Sequence, residues 1–220
     1  MRKTTHMCML LAAICILGFQ KTYAQFDKEN LSLGGGLAFF GYAGTGSTLA
    51  INLRGNYNMD EKSSVVVGYN FHLPISYDYQ TTVVASSSSV TPSQMDVKTT
   101  DKVNIHNIFL NYHRYFVGDN EESLGIYGLA GVGLTFASLS TEYESYDQSK
   151  YNLNSGGASV SVSGFIIDLG LGANFNMERL AIFGELKGGI PANQANNTLV
   201  YNPIPFHYSV TAGVRYTLFQ

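Results

Sequence analysis

The sequence predicts an all-β protein: an eight-stranded antiparallel up-and-down transmembrane β-barrel with short periplasmic turns and long extracellular loops. Three observations predict it. Apolar and polar residues alternate with period two along most of the chain, and the connections alternate between short and long. An export signal opens the chain, and no later run is apolar enough for a membrane helix.

The N-terminus reads as a signal peptide, residues 1–24, ahead of a barrel domain spanning 25–220. Arg2 and Lys3 form a basic start, Met7 to Phe19 an apolar run, and Thr22 and Ala24 the small residues before a cut at Gln25. That run is too short to span a bilayer. Lipidation at Cys15 is disfavoured, because Ile14 stands where a small residue is needed and the apolar run continues past the cysteine. Both cysteines, Cys8 and Cys15, fall within the signal, so the barrel domain has no disulfide, thiol nucleophile or thiolate metal site. Of 13 Lys and Arg, three (Arg2, Lys3, Lys21) precede residue 25, leaving 10 against 16 acids and a formal charge of −6. A mildly acidic chain without a basic tract excludes nucleic acid as a partner.

The strands follow in order. The first centres on Leu33 to Phe40, and "GYAGTGST" (Gly41–Thr48) follows it. That stretch is one Lys short of a phosphate-binding loop. Such a loop needs a helix after it and a Lys to reach the phosphates; here a strand follows, so the stretch is a turn. In that strand Leu49, Ile51, Leu53, Tyr57 and Met59 share one face, and Asn52, Arg54, Asn56 and Asn58 the other. The third sets Val65, Val67, Tyr69, Phe71 and Leu73 against Ser64, Gly68, Asn70 and His72. Strands four and five run over Ile108 to Tyr115 and Leu124 to Phe136. Around Val103 to Phe109 the apolar parity changes, which predicts either a bulge or a strand leaving the membrane. The sixth sets Phe165, Ile167, Leu169, Leu171, Ala173 and Phe175 against Asp168, Gly170, Gly172 and Asn174. The seventh sets Leu180, Ile182, Leu186 and Ile190 against Glu185 and Lys187; the eighth sets Tyr208, Val210, Val214, Tyr216 and Leu218 against Ser209, Thr211, Arg215 and Thr217.

Short polar links (Asn58–Ser63, Val117–Ser123, Asn176–Arg179) follow strands two, four and six. Long ones (Tyr77–Asp101, Ser138–Ser163, Pro191–His207) follow three, five and seven. One end therefore has tight turns and the other long loops, as in an outer-membrane barrel with both termini in the periplasm. A soluble lipocalin-like barrel would point the same apolar faces inward. The polar faces argue against that: they are rich in Asn, Gly, Ser and Thr, where a water-facing surface carries Lys and Glu. The few charges on them (Arg54, Asp168, Glu185, Lys187, Arg215) must pair inside a narrow barrel, and Glu185 and Arg215, on neighbouring strands, are expected to meet. Aromatics near strand ends (Tyr57, Phe71, Phe175, Tyr216) suit an interfacial girdle.

With its signal peptide and its closing strand "VTAGVRYTLFQ", the whole of 25–220 resembles the small porin-like outer-membrane β-barrel family of Bacteroidota. It is similar in architecture to the eight-stranded OmpA and OmpX type. Thr211, Gly213, Tyr216, Leu218 and Phe219 match the assembly signal of such barrels, although the chain ends in Gln220. The resemblance implies the cell outer membrane, with lipid and lipopolysaccharide as surroundings, and no single shared activity.

No residue is assigned a catalytic, cofactor-binding or metal-binding role. His72, His106, His113 and His207 lack a recognisable Ser partner in sequence, and His72 and His113 are expected to hydrogen-bond in the lumen. Glu142, Glu144 and Asp147 read as a solvated loop rather than a cation site. The expectation is a non-enzymatic surface barrel, acting in envelope integrity or in contact and adhesion, with a small porin-like channel as the rival. Both long segments, Tyr77–Asp101 and Ser138–Ser163, keep alternating beyond the bilayer. Strands three to six should therefore protrude as a sheet that meets an extracellular protein or host surface.

Overall fold

Alternation of this kind makes ten strands and no helix in the computed structural model, which describes residues 31–44, 46–119, 122–153, 160–192 and 206–218. The strands are β1 (Leu31–Tyr42), β2 (Gly46–Asp60), β3 (Ser63–His72), β4 (Ile75–Ala85), β5 (Gln94–Val117), β6 (Leu124–Tyr143), β7 (Tyr151–Leu153), β8 (Val160–Met177), β9 (Leu180–Pro191) and β10 (His207–Thr217). Every pairing is antiparallel. Eight of the strands close a ring in the order β1–β2–β3–β5–β6–β8–β9–β10, with β10 returning to β1. The proposed signal, residues 1–24, lies outside the described residues.

The ring sorts side chains as the alternation predicts. On β2, Leu49, Ile51, Leu53 and Met59 are exposed, while Thr48, Ala50, Asn52, Arg54 and Asn56 are buried. On β8, Phe165, Ile167, Leu169, Leu171 and Phe175 face out, and Asp168 and Asn174 face in. A soluble barrel has the opposite polarity. From Leu49 to Met59, at about 3.4 Å per residue and a tilt of about 40°, the apolar wall is about 25 Å tall, the height of a membrane band. Closure leaves no strand edge inside that band, so every backbone polar group there finds a partner within the ring.

The turns at the two ends differ as expected. Glu61–Lys62 and Glu178–Arg179 close tight hairpins, and Glu178 takes a positive φ of 50° to do so. In the β2–β3 turn the Asp60 carboxylate accepts bonds from the Lys62 amide and the Ser63 hydroxyl. At the other end Gly44 and Gly46 have φ of 77° and 90°, which explains two glycines of "GYAGTGST" in a turn between strands.

One alternative is decided and two expectations need correction. The parity change on β5 marks the strand leaving the membrane and not a bulge: β5 stays in register with β6 from Thr99 to Tyr115, while on its other side it passes from β4, as far as Val103, to β3, from His106, and the only shift comes lower, between Tyr115 and Val117. Ile105 and Phe109 are apolar residues facing the lumen, so the strand simply runs on past the membrane. Tyr77–Asp101 is not a loop but mostly a hairpin, β4 laddering with the outer part of β5 from Ile75↔Val103 to Val84↔Gln94. Finally, the raised sheet does not come from four ring strands: β3 ends at His72, and the sheet consists of β4, the upper parts of β5 and β6, and the short β7 on β4.

Candidate functional site

Two places carry polar chemistry: the lumen and the raised sheet. In the lumen, Arg54 of β2 reaches across to Glu185 of β9 and donates from both terminal nitrogens, at 2.6 and 2.9 Å. Its Nε donates to Asn52 Oδ1 at 2.8 Å, and its guanidinium lies 4.0 Å from the centre of the Phe183 ring. Tyr127 donates its hydroxyl to Glu185 Oε1 at 3.0 Å and stacks on His113, with ring centres 4.4 Å apart. Bidentate geometry and added donors are what a buried ion pair needs to offset its desolvation. Lys187 Nζ lies 4.5 Å from the centre of the Phe109 ring, where the π face receives the ammonium. Glycine makes room for these rings: a Cβ on Gly172 would come within 2.5 Å of the Tyr127 ring, and one on Gly68 would overlap Phe109.

All five inward charges of the sequence analysis are thus buried in the lumen, but one expected pairing fails. Glu185 sits opposite Thr211 on β10, and Arg215 sits opposite Ala181, four residues along the strand. Arg215 instead donates to Asn176 Oδ1 at 3.1 Å. Adjacent strands alone did not specify the partner, because strand tilt carries Arg54 to the height of Glu185 from the far side of the barrel.

Sequence reasoning also missed an amide ladder crossing four strands. Asn52 donates to Asn70 at 2.6 Å, Asn70 to Asn107 at 3.2 Å, and Asn107 to Thr135 Oγ1 at 2.9 Å. Above it the extracellular mouth is apolar. Ala38, Phe40, Tyr42, Ala50, Ile75, Ile105 and Ala137 form one buried cluster. The Tyr42 hydroxyl is 2.9 Å from His72 Nε2, and Phe40 lies edge-on to the His72 ring at 4.4 Å.

The histidines divide. His72, His113 and His207 are buried in the lumen, and His72 bonds as expected. His113 differs from expectation: it stacks, and neither ring nitrogen has a hydrogen-bond partner among the described residues. His106 faces outward. The Tyr69 hydroxyl lies 2.6 Å from its Nδ1, and it shares a wall cavity of about 280 Å³ with Ser138, Ser161 and Ser163. Those serines are more than 30 residues away in sequence, so only the β5–β6–β8 register brings them to His106. No carboxylate lines that cavity.

The raised sheet has a small core of its own, Val83, Val97 and Tyr151, flanked by Met95, Tyr143 and Leu153. Tyr151 ties it off by donating to the Pro92 carbonyl at 3.1 Å. Its solvent face is laced with ion pairs: Lys98 to Asp78 at 2.8 Å and Lys102 to Glu142 at 2.7 Å. The bond from Lys98, then that from Thr100, holds the Asp78 carboxyl below the usual carboxylate range, and Asp78 in turn raises the Lys98 ammonium. Asp147 is held low by the Ser149 hydroxyl and then by Lys150. Glu142 and Asp147 of the acidic stretch therefore each face a lysine rather than converging on a common point. On its far side β4 pairs with β7 only over Val83–Ala85; β2 approaches its start, where Gly46 lies beside the Tyr77 hydroxyl, and among the described residues no strand ladders onto Asp78–Thr82.

No protein-family model and no curated protein matches the sequence. Solved structures do match the fold. A major outer membrane protein from Thermus thermophilus aligns with a TM-score of 0.55 at 14% identity, over 84% of this chain and 97% of that one. Neisserial surface protein A aligns with a TM-score of 0.50 at 13% identity, over 86% and 96%. The N-terminal β-barrel domain of Pseudomonas aeruginosa OprF gives 0.47 at 12% identity, over 86% and 97%. At such identities the likeness is one of fold, and the first two alignments agree with the closed ring, the apolar wall and the polar interior: the chain has the fold of the bacterial outer-membrane β-barrels.

Proposed function

We propose that this protein is a non-enzymatic surface barrel whose raised β4–β5–β7 sheet makes extracellular contacts, in adhesion or in holding the envelope together. The carrying observation is the β4 edge, Asp78–Thr82, which stands beyond the apolar wall and onto which no described strand ladders. An extended segment of an extracellular protein fits such an edge by adding a strand, its backbone supplying the ladder. The 24 residues of β5 make the display possible, since about 9–11 residues suffice to cross a bilayer. The rival reading, a small porin-like channel, finds no support in a lumen packed with Arg54, Glu185, Tyr127 and the apolar mouth cluster. No residue is assigned a catalytic, cofactor or metal role.

Deleting Tyr77–Asp101, which removes the β4 edge together with the part of β5 that carries it, tests the reading. The deletion variant should keep the faster gel mobility of an unboiled folded barrel and lose binding of the displaying cells to a host-cell or matrix surface. Binding at the level of the unaltered protein would remove the proposal. Wild-type protein in planar bilayers should give no discrete conductance steps, and regular steps would favour the channel instead.

A further inference from the structure

The two faces of β4 offer an incoming strand different chemistry. Side chains alternate along a strand, so Asp78, Gln80 and Thr82 share one face of the open stretch, and Tyr79 and Thr81 the other. Register with β5 sets Thr100, Lys98 and Asp96 beside the first three. Glu142, opposite Thr100, and Glu144, whose amide donates to the Lys98 carbonyl, lie one strand further in. On the second face Tyr77 and Tyr79 stand exposed, opposite Asp101 and Thr99.

The first face is acidic, and its lysines are already engaged. It carries the carboxylates Asp78, Asp96, Glu142 and Glu144 against Lys98 and Lys102. Lys98 pairs with Asp78 at 2.8 Å and Lys102 with Glu142 at 2.7 Å. Among the described residues no cation pairs with Asp96 or Glu144, so this face is two negative charges in excess. Asp96 is the carboxylate nearest the edge that lacks a cation. The Thr82 hydroxyl donates to its Oδ1 at 2.7 Å and holds it toward β4. A strand added to β4 lies about 4.8 Å further out, so a Lys or Arg opposite Thr82 reaches Asp96 across the short threonine. Opposite Gln80 the neighbour behind is Lys98, which favours an uncharged residue there. On the other face, the Tyr79 ring suits an aromatic or β-branched residue across from it.

We propose that the β4 edge takes a cationic, extended polypeptide segment of alternating character. Basic residues lie opposite Thr82 and Asp78, an uncharged residue opposite Gln80, and β-branched or aromatic residues opposite Tyr79 and Thr81. This rests on the edge reading given above and adds the chemistry of the partner. The backbone ladder supplies attachment, while the two faces select which segment is accepted. An acidic segment would bring like charge to Asp78 and Asp96, with no unpaired lysine on this face to receive it.

The test uses the full chain refolded in detergent, with binding of fluorescent peptides read by polarisation. A Lys-Val-Thr-Val-Lys core reads the same in both directions, so it matches Asp78–Thr82 whichever way it runs. Its acidic counterpart is Glu-Val-Thr-Val-Glu. The lysine peptide is expected to bind about tenfold tighter at low salt, with the gap closing as salt rises. Alternate amides of a strand face its neighbour. N-methylation of both Val residues, or of the Lys, Thr and Lys instead, should therefore abolish binding in one pattern and spare it in the other. Asp96→Asn keeps an acceptor for Thr82 and the folded gel mobility, and should weaken the lysine peptide about threefold. Equal affinity for both peptides, or an Asp96→Asn protein as selective as the unaltered one, would overturn the cationic partner and leave the edge reading standing. Lysine-peptide binding that survives both N-methyl patterns would mean adsorption to an acidic surface and would overturn strand addition. Binding of neither peptide would remove the edge reading, and this inference with it.

Discussion

Glu185 carries its charge where water cannot reach it, and Arg54 is what makes that tenable. The two side chains are 0% and 4% exposed, so removing one partner leaves an uncompensated charge in the barrel. Arg54→Leu is expected to cost about 3–5 kcal/mol, while Arg54→Leu combined with Glu185→Leu should recover most of that loss. Urea unfolding in phospholipid vesicles measures both; a double variant as unstable as the single would contradict the pairing. Gly172→Ala pushes a methyl into the Tyr127 ring and, through it, disturbs the Glu185 bond. It should cost about 1–3 kcal/mol by the same measurement. At this scale the sequence was half legible. Alternation placed Arg54, Glu185 and Lys187 inside, but which charge met which depended on strand tilt, and Glu185 lies with Arg54 instead of Arg215. The His106 cavity was illegible, since nothing local joins residue 106 to residues 138, 161 and 163.

Among the elements, the β4–β5 hairpin is where loop and strand were hardest to tell apart. "SYDYQTTVV" alternates, yet serine-rich "ASSSS" and Pro92 follow it, and the long polar tract reads as loop until the β5 ladder is seen. The hairpin's small core makes a specific demand. Val83 is fully buried against Val97 and Tyr151, so Val83→Asp should open the raised sheet to hydrogen exchange while the ring strands stay protected. Simultaneous loss of protection in β2 and β9 would show that the sheet and ring are one unit. The solvent face of the hairpin adds a pH dependence. Asp78 has its folded pKa lowered by Lys98 and Thr100, so its contribution is complete above the ordinary carboxylate range. It is lost as pH falls through the lowered value. Exchange protection of β4 amides should weaken in that acidic window and hold steady above it, whereas Asp78→Asn should show no such transition.

The whole molecule was the most legible scale, because period two along a strand and alternating loop length are both consequences of one closed ring. Eight strands crossing the membrane were readable from Leu33 to Leu218; the two further strands, β4 and β7, lie outside the bilayer, where sequence no longer has to obey a lipid face on one side. The same logic ranks substitutions by direction. Leu169→Arg, on the lipid face near mid-wall, should destabilise by about 2–4 kcal/mol in vesicles, and the same residue placed near the rim, at Met177, by much less.

The orientation of that wall is the central claim, and β8 tests it most directly. A chain begun at Gln25 has no cysteine, so single cysteines from Phe165 to Phe175 can each carry a spin label in a protein reconstituted in bilayers. The expected result is a period of two: Phe165, Ile167, Leu169, Leu171, Ala173 and Phe175 accessible to oxygen dissolved in lipid, and Asp168, Gly170, Gly172 and Asn174 shielded from it. Shielding of the apolar positions, with the polar ones open to a water-soluble relaxant, would mean a barrel turned the other way and would contradict the account.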